Sequence, residues 1–142
     1  MKSALPKVLH PIAGRSMIER VLHTSSALNP VSTTLIVGHQ AAVVRGRLAE
    51  GHPRLQFAVQ EPQRGTAHAL QQAESVLAGR KGTLVLLSGD VPLLTSATIR
   101  RLVETHAAAG AAATVVTAIV SRPFGYGRVV RKDGRIARIV EE

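Results

Sequence analysis

The sequence predicts an α/β chain: a mostly parallel sheet with helices on both faces, ending in a C-terminal hairpin. Three observations carry this expectation. Short apolar runs alternate with helical patterns along residues 16–120, the order that folds into βαβ units with right-handed crossovers. One run, TLVLLSGD (83–90), is apolar on both faces before it turns polar, as a strand buried within a parallel sheet is. The segment GRVVRKDGRIARIVEE (127–142) sets Asp133-Gly134 between two short alternating runs, the turn chemistry of a hairpin.

In chain order, MKSALPKVLHP (1–11) reads as loop. SMIERVLHTSSAL (16–28) brings Met17, Ile18, Val21, Leu22 and Leu28 onto one stripe, as a helix does. TTLIVG (33–38) and LQFAVQ (55–60) are strand-like, and between them QAAVVRGRLAE (40–50) aligns Ala41, Val44 and Leu48. GTAHALQQAESVLA (65–78) repeats the helical pattern with Ala69, Leu70, Ala73 and Leu77. A further helix is expected over 95–109, capped by Thr95 or Ser96, with Ile99, Leu102 and Val103 inward and Gly110 as its stop. ATVVTAIV (113–120) completes the expected strands. Alanine at many helix positions allows close seating on a sheet. No internal repeat or interdomain linker stands out.

Composition narrows the function classes. With 45% hydrophobic and 19% charged residues in 142, the chain is neither disordered nor fibrous. The absence of cysteine excludes disulfide scaffolds, zinc fingers and thiol catalysis. No apolar run reaches the roughly 18 residues of a membrane span, and prolines interrupt the first residues where a signal peptide needs an apolar stretch. A cytoplasmic location is the resulting expectation. The net charge of +9, from 18 Lys+Arg against 9 Asp+Glu, asks for an anionic partner: nucleic acid or phosphorylated small molecules. Only Phe57, Phe124 and Tyr126 are aromatic, which leaves little for stacking single-stranded bases.

Three places can carry chemistry. Asp90, one of two Asp in the chain, follows an apolar strand and precedes Val91-Pro92. Ligands of parallel sheets sit beyond the carboxyl ends of strands, so Asp90 either holds a hard cation such as Mg²⁺ together with phosphate oxygens or caps the following turn. Lys7, in LPKVLHP, is either a phosphate-binding point charge or a solvated surface lysine. QEPQRGTAHA (60–69) leaves a strand at Gln60 and enters a helix after Gly65-Thr66. Its backbone N–H groups and the Gln60 amide can face a base or phosphate; equally, it is an ordinary loop with Thr66 as N-cap. His68 is expected to prop this loop rather than ligate a metal. The cations Arg122, Arg128, Arg131, Lys132, Arg135 and Arg138 are expected to fall on both faces and the turn of a hairpin, as a solvated rim. No G-x-S-x-G elbow, complete P-loop or G-x-G-x-x-G is present.

Taken in order, MKSALPKVLHPIAGRSMIERVL, QEPQRGTAHA, LLSGDVPLL, FGYGRVV and IVEE closely resemble one family over the whole chain. It is the uridyltransferase domain of the bacterial bifunctional N-acetylglucosamine-1-phosphate uridyltransferase/glucosamine-1-phosphate acetyltransferase, within the MobA-like NTP transferase superfamily. The resemblance implies a Rossmann-like nucleotidyltransferase in which N-acetylglucosamine 1-phosphate attacks the α-phosphate of UTP with Mg²⁺, giving UDP-N-acetylglucosamine and pyrophosphate. It implies that Lys7 binds phosphate and Asp90 holds Mg²⁺. Gln60, Gly65 and Thr66 would read and cradle the uridine, while Gly127 through its N–H and Glu141 through its carboxylate would meet the N-acetylglucosamine.

The departures from the family pattern set further expectations. The family's glycine-rich loop, L-x-x-G-x-G-T-R-M, ends in a Met that matches Met1, so the first strand, the triphosphate cradle and a catalytic Arg are expected to be missing. The family's second metal ligand, an Asn further downstream, has no counterpart: the single Asn is Asn29. The β-helix acetyltransferase domain, with the family's trimer interface, is also missing. The resemblance therefore describes residues 1–142 as a partial nucleotidyltransferase domain, of marginal stability and inactive alone. Rival expectations are a related nucleotidyltransferase using another NTP or sugar phosphate, a non-catalytic uridine-nucleotide binder, and a basic nucleic-acid-binding module.

Overall fold

A computed structural model describes residues 4–140. The chain divides into two compact units, one up to Val103 and one from Glu104. No helix among the described residues is long and apolar enough to cross a membrane.

The first unit opens with a single 3-10 turn, Lys7–Leu9. The expected loop continues into a small antiparallel pair, β1 (Pro11–Ile12) and β2 (Arg15–Ser16), around Ala13 and Gly14 at φ 46° and 80°. Arg20 secures this pair by donating from Nε to the Ile12 carbonyl (2.7 Å) and from Nη2 to the Ala13 carbonyl (2.9 Å).

Helix α1 (Met17–Ser26) starts where its capping box dictates. The Glu19 N–H donates to Ser16 Oγ (3.3 Å), and the Ser16 N–H donates to Glu19 Oε2 (2.8 Å), so two otherwise orphaned donors are satisfied. Hydrogen bonds from Ser16 hold the Glu19 carboxyl below the usual carboxylate range, the side-chain contact contributing most and the backbone one next. The helix buries Ile18, Val21 and Leu22.

Strands β3 (Thr34–Val37) and β4 (Gln56–Val59) pair in parallel with Leu35 opposite Phe57 and Val37 opposite Val59. They are joined by α2 (Ala41–Ala49), which turns Val44 and Leu48 inward at i, i+4. The core cluster is Leu9, Ile18, Leu22, Val37, Val44 and Leu48, with Leu35, Leu55 and Phe57 against it. The sequence pattern places the helix and strand members of this cluster correctly but not Leu9, which lies in the stretch expected as loop.

The expected helix over 65–78 is instead two, α3 (Thr66–Gln72) and α4 (Glu74–Leu77). At the buried Ala73 the chain tightens, its N–H reaching the Leu70 carbonyl (3.0 Å) in an i→i−3 bond. Helix α5 (Ser96–Ala108) is capped by Thr95, whose Oγ1 accepts from the Thr98 N–H (3.2 Å). Gly110, at φ 52°, closes it.

Two expected strands do not form ladders among the described residues: 83–90 and 113–120. No described backbone hydrogen bond ties 83–88 to a neighbouring strand, and Leu84 and Leu86 remain 55% and 49% exposed. A run that is apolar on both faces is a strand only where other strands complete its backbone pairing. The single parallel pair is thus what the described residues retain of the mostly parallel sheet, and the α/β class holds.

In the second unit, 113–120 likewise lacks a ladder partner and exposes Val115, Val116, Ile119 and Val120. The hairpin is as expected: β5 (Arg128–Lys132) pairs antiparallel with β6 (Arg135–Val140). Asp133 and Gly134 both take positive φ, 52° and 76°, the conformation of a type I′ turn. The register shift between Val130 and Arg131 leaves Ala137 of β6 as the extra residue. The alternation of β5 thus puts Arg128 and Lys132 on one face, with Arg138 opposite Val130 and Arg135 opposite Lys132, and Arg131 on the other. The basic cluster is therefore split between two solvent-facing surfaces, as anticipated.

Candidate nucleotide site

Lys7 and Asp90, 83 residues apart, meet. Lys7 Nζ donates to Asp90 Oδ2 at 2.8 Å. The contact is built by Gly89. A Cβ at that position would stand 3.2 Å from Ile18 Cδ1, a tight contact that the end of Ile18 relieves only by shifting a few tenths of an ångström, and 3.5 Å from Val8 Cγ1. Glycine lets this turn lie against the residue next to Lys7 and the buried start of α1 without that shift. The Lys7 hydrogen bond holds the Asp90 carboxyl below the usual carboxylate range. Asp90 is thus an anion at neutral pH, partnered by the cation the sequence reading assigns separately to phosphate.

A carboxylate has about four acceptor positions, so one lysine leaves most of them for a cation. Mg²⁺ usually takes one or two carboxylates plus phosphate oxygens, which Asp90 suits. Among the described residues no group of three His, Asp or Glu converges to hold a metal by itself.

The second arrangement lies where β4 ends. Gln60 Nε2 donates to the Gly65 carbonyl (2.9 Å) and lies 3.1 Å from His68 Nδ1. Both amide hydrogens are thereby engaged, and His68 Nδ1 must be an acceptor. The proton then sits on His68 Nε2, 3.2 Å from Gln72 Nε2. Turning the Gln72 amide end for end supplies the oxygen that this proton needs, at the expense of the long 3.4 Å bond from Gln72 Nε2 to the His68 carbonyl. Turning Gln60 instead would break its 2.9 Å bond to the Gly65 carbonyl. His68 does prop the loop. Gly65 needs to be glycine, since φ 88° with ψ −179° is a conformation essentially closed to other residues. It is also the N-cap of α3: Thr66 is the first helical residue and makes no side-chain cap, so the alternative of Thr66 as N-cap is corrected.

Gln60 also lines a cavity of about 430 Å³ at the carboxyl ends of β3 and β4, with Gly38, Gln40 and Gln63 among its walls. Gln40 Oε1 is buried there without a hydrogen-bond partner among the described residues. Gln40 and Gln72 are missed by the sequence reading. The signal for Gln72 is its i, i+4 spacing from His68 on a helix face; Gln40 leaves none.

The structure therefore brings together Lys7 with Asp90, and Gln60 with Gly65 and His68, in the first unit. Gly127 lies in the second unit, exposed immediately before β5. Glu141 lies outside the described residues.

The MobA-like NTP transferase domain family matches residues 1–135. The chain belongs to this family. As an NTP transferase domain it takes the α/β nucleotidyltransferase class that its pattern of helices and strands predicts. It is 51% identical over 142 residues to the bifunctional protein GlmU of Prochlorococcus marinus (strain MIT 9313), covering 99% of this chain and 32% of that protein. Against the GlmU of Shouchella clausii (strain KSM-K16) identity is 49%, over 99% of this chain and 31% of the relative. Against that of Enterococcus faecalis (strain ATCC 700802 / V583) it is 43%, over 100% and 31%. This NTP transferase domain spans about a third of the length of the curated relatives it matches.

Proposed function

We propose that these residues form part of a uridyltransferase site that joins UTP and N-acetylglucosamine 1-phosphate, giving UDP-N-acetylglucosamine and pyrophosphate. The observation that carries the reading is the Lys7–Asp90 pair at 2.8 Å, within a chain of the NTP transferase family. It sets a cation suited to phosphate beside an anion suited to a divalent metal. Identity of 43–51% to GlmU proteins supports the choice of base and sugar.

In this reading an oxygen of the sugar phosphate attacks the α-phosphorus of UTP in line. The bond to the bridging oxygen of the β-phosphate breaks, and pyrophosphate leaves with the electron pair. Such a displacement needs positioning and neutralised charge more than covalent help from the protein. Lys7 donates to phosphate oxygens and offsets their charge. Asp90 would hold Mg²⁺, which supplies further neutralisation of the polyphosphate when bound. Gln60 reads the uracil edge and Gly65 and Thr66 border it, while Gly127 and Glu141 contact the sugar. No nucleic acid is required as partner, because the phosphates of two substrates meet Lys7.

The 142 residues hold no L-x-x-G-x-G-T-R-M loop, and we read them as binding UTP without efficient turnover. Calorimetric titration with UTP and Mg²⁺ is expected to show saturable binding, and a pyrophosphate assay no release above background. Joined to a segment carrying that loop, the chain is expected to release pyrophosphate from UTP with N-acetylglucosamine 1-phosphate. Absence of UTP binding, or a preference for another NTP, would refute the proposal.

A further inference from the structure

We propose that His68 is a positioning residue that fixes the Gln60 amide with its carbonyl oxygen outward, so that the site prefers a base carrying an imino N–H. The inference rests on the reading of Gln60 as the base-reading group. An unrestrained glutamine amide offers a donor and an acceptor at interchangeable places and cannot distinguish a base edge from its complement. Gln60 is restrained. The Gly65 carbonyl, an acceptor only, and His68 Nδ1 take both hydrogens of its Nε2, at 2.9 and 3.1 Å.

Reversing the amide would set its oxygen against the Gly65 carbonyl and the Nδ1 lone pair, acceptor against acceptor. The oxygen therefore stays on the outer side, where Gln60 Oε1 has no partner among the described residues. Uracil presents N3–H to such an acceptor. Cytosine presents the N3 lone pair at the same place, which leaves two acceptors facing each other. The backbone carbonyl of Gly65 cannot be removed by substitution, so His68 is the half of the clamp that can be tested. Without it the amide is anchored at one point and swivels about that bond.

The test is the ratio of UTP to CTP affinity of the 142-residue chain, by titration with Mg²⁺ present. The unaltered chain is expected to favour UTP, and His68→Ala to lower that preference about tenfold, the effect of one lost hydrogen-bond restraint at about 1.4 kcal/mol. His68→Asn, whose amide oxygen stands near the place of Nδ1, is expected to retain most of it. A purely structural role would lower both affinities together and leave the ratio unchanged. His68→Leu, which fills the ring's space with no acceptor, replaces the alanine variant should that fail to fold.

Retention of the full preference in His68→Ala or His68→Leu overturns the proposal, and so does its loss in a folded His68→Asn. Gln60→Ala separates this failure from that of the underlying reading. If Gln60→Ala abolishes the preference and removal of His68 does not, the clamp alone is wrong. If Gln60→Ala leaves the preference intact, or the unaltered chain does not favour UTP at all, the base-reading assignment fails as well.

Discussion

Replacing Lys7 with Met removes the cation beside Asp90 while keeping much of the side chain's apolar length. The 2.8 Å separation corresponds to a Coulomb energy of about 1.5 kcal/mol at the dielectric constant of water. Both side chains are well exposed, at 60% and 42%. Solvent screening and the entropy of holding a lysine in place reduce the net contribution to about 0.2–1 kcal/mol. Lys7→Met is therefore expected to lower global stability by no more than about 1 kcal/mol, and to raise the titration midpoint of Asp90 toward the ordinary carboxylate range. The folded carboxyl is lowered, so its stabilisation is fully present above the unfolded pKa of about 3.9. It is lost as pH falls through the folded midpoint. Carboxyl ¹³C NMR reads this directly, because the chain has only two Asp and Asp133→Asn assigns them. In about 1 M salt, where the Debye length is about 3 Å, the difference between the two proteins should shrink. An Asp90 midpoint unmoved by Lys7→Met, or a stability loss of several kcal/mol, would refute the reasoning.

Leu48→Ala empties a fully buried position among Leu9, Ile18 and Val44 and is expected to cost about 2–5 kcal/mol, measured as a fall in the urea midpoint. Ser16→Ala removes half of the capping box of α1; about 1 kcal/mol of stability should be lost, by denaturation, together with the side-chain part of the lowering of the Glu19 midpoint, by carboxyl NMR, while the part due to the Ser16 N–H remains. Gly89→Ala forces a methyl to 3.2 Å from Ile18 Cδ1. Because Ile18 is buried and yields little, the substitution is expected to cost about 1–3 kcal/mol and, by shifting the turn that carries Asp90, to raise the Asp90 midpoint although Lys7 remains.

What the sequence makes legible is what short spacing encodes. Val44 and Leu48 recur at i, i+4 and are buried, and Asp133-Gly134 specifies a turn whose two residues both take positive φ. Residues 83–88 are legible as apolar but not as unpaired, since a ladder depends on partners elsewhere in the chain. Lys7 and Asp90 are each legible as candidates from residue type and position. Their contact is not, because it depends on how closely a glycine turn settles on Val8 and Ile18. His68 is legible as a prop for its loop, whereas the polarity it imposes on Gln60 follows only from the distances.

The Lys7–Asp90 contact closes a loop of 83 residues. The length-dependent part of that closure costs about 4 kcal/mol of chain entropy, several times the bond's own worth. The bond cannot assemble its surroundings; the seating of Gly89 on Val8 and Ile18 must come first. In folding, the pair is thus a late event, and any partial opening that frees this turn breaks it early. The charges proposed for phosphate and metal work as a latch on the finished fold, so anything that loosens the turn will part them well before the core melts.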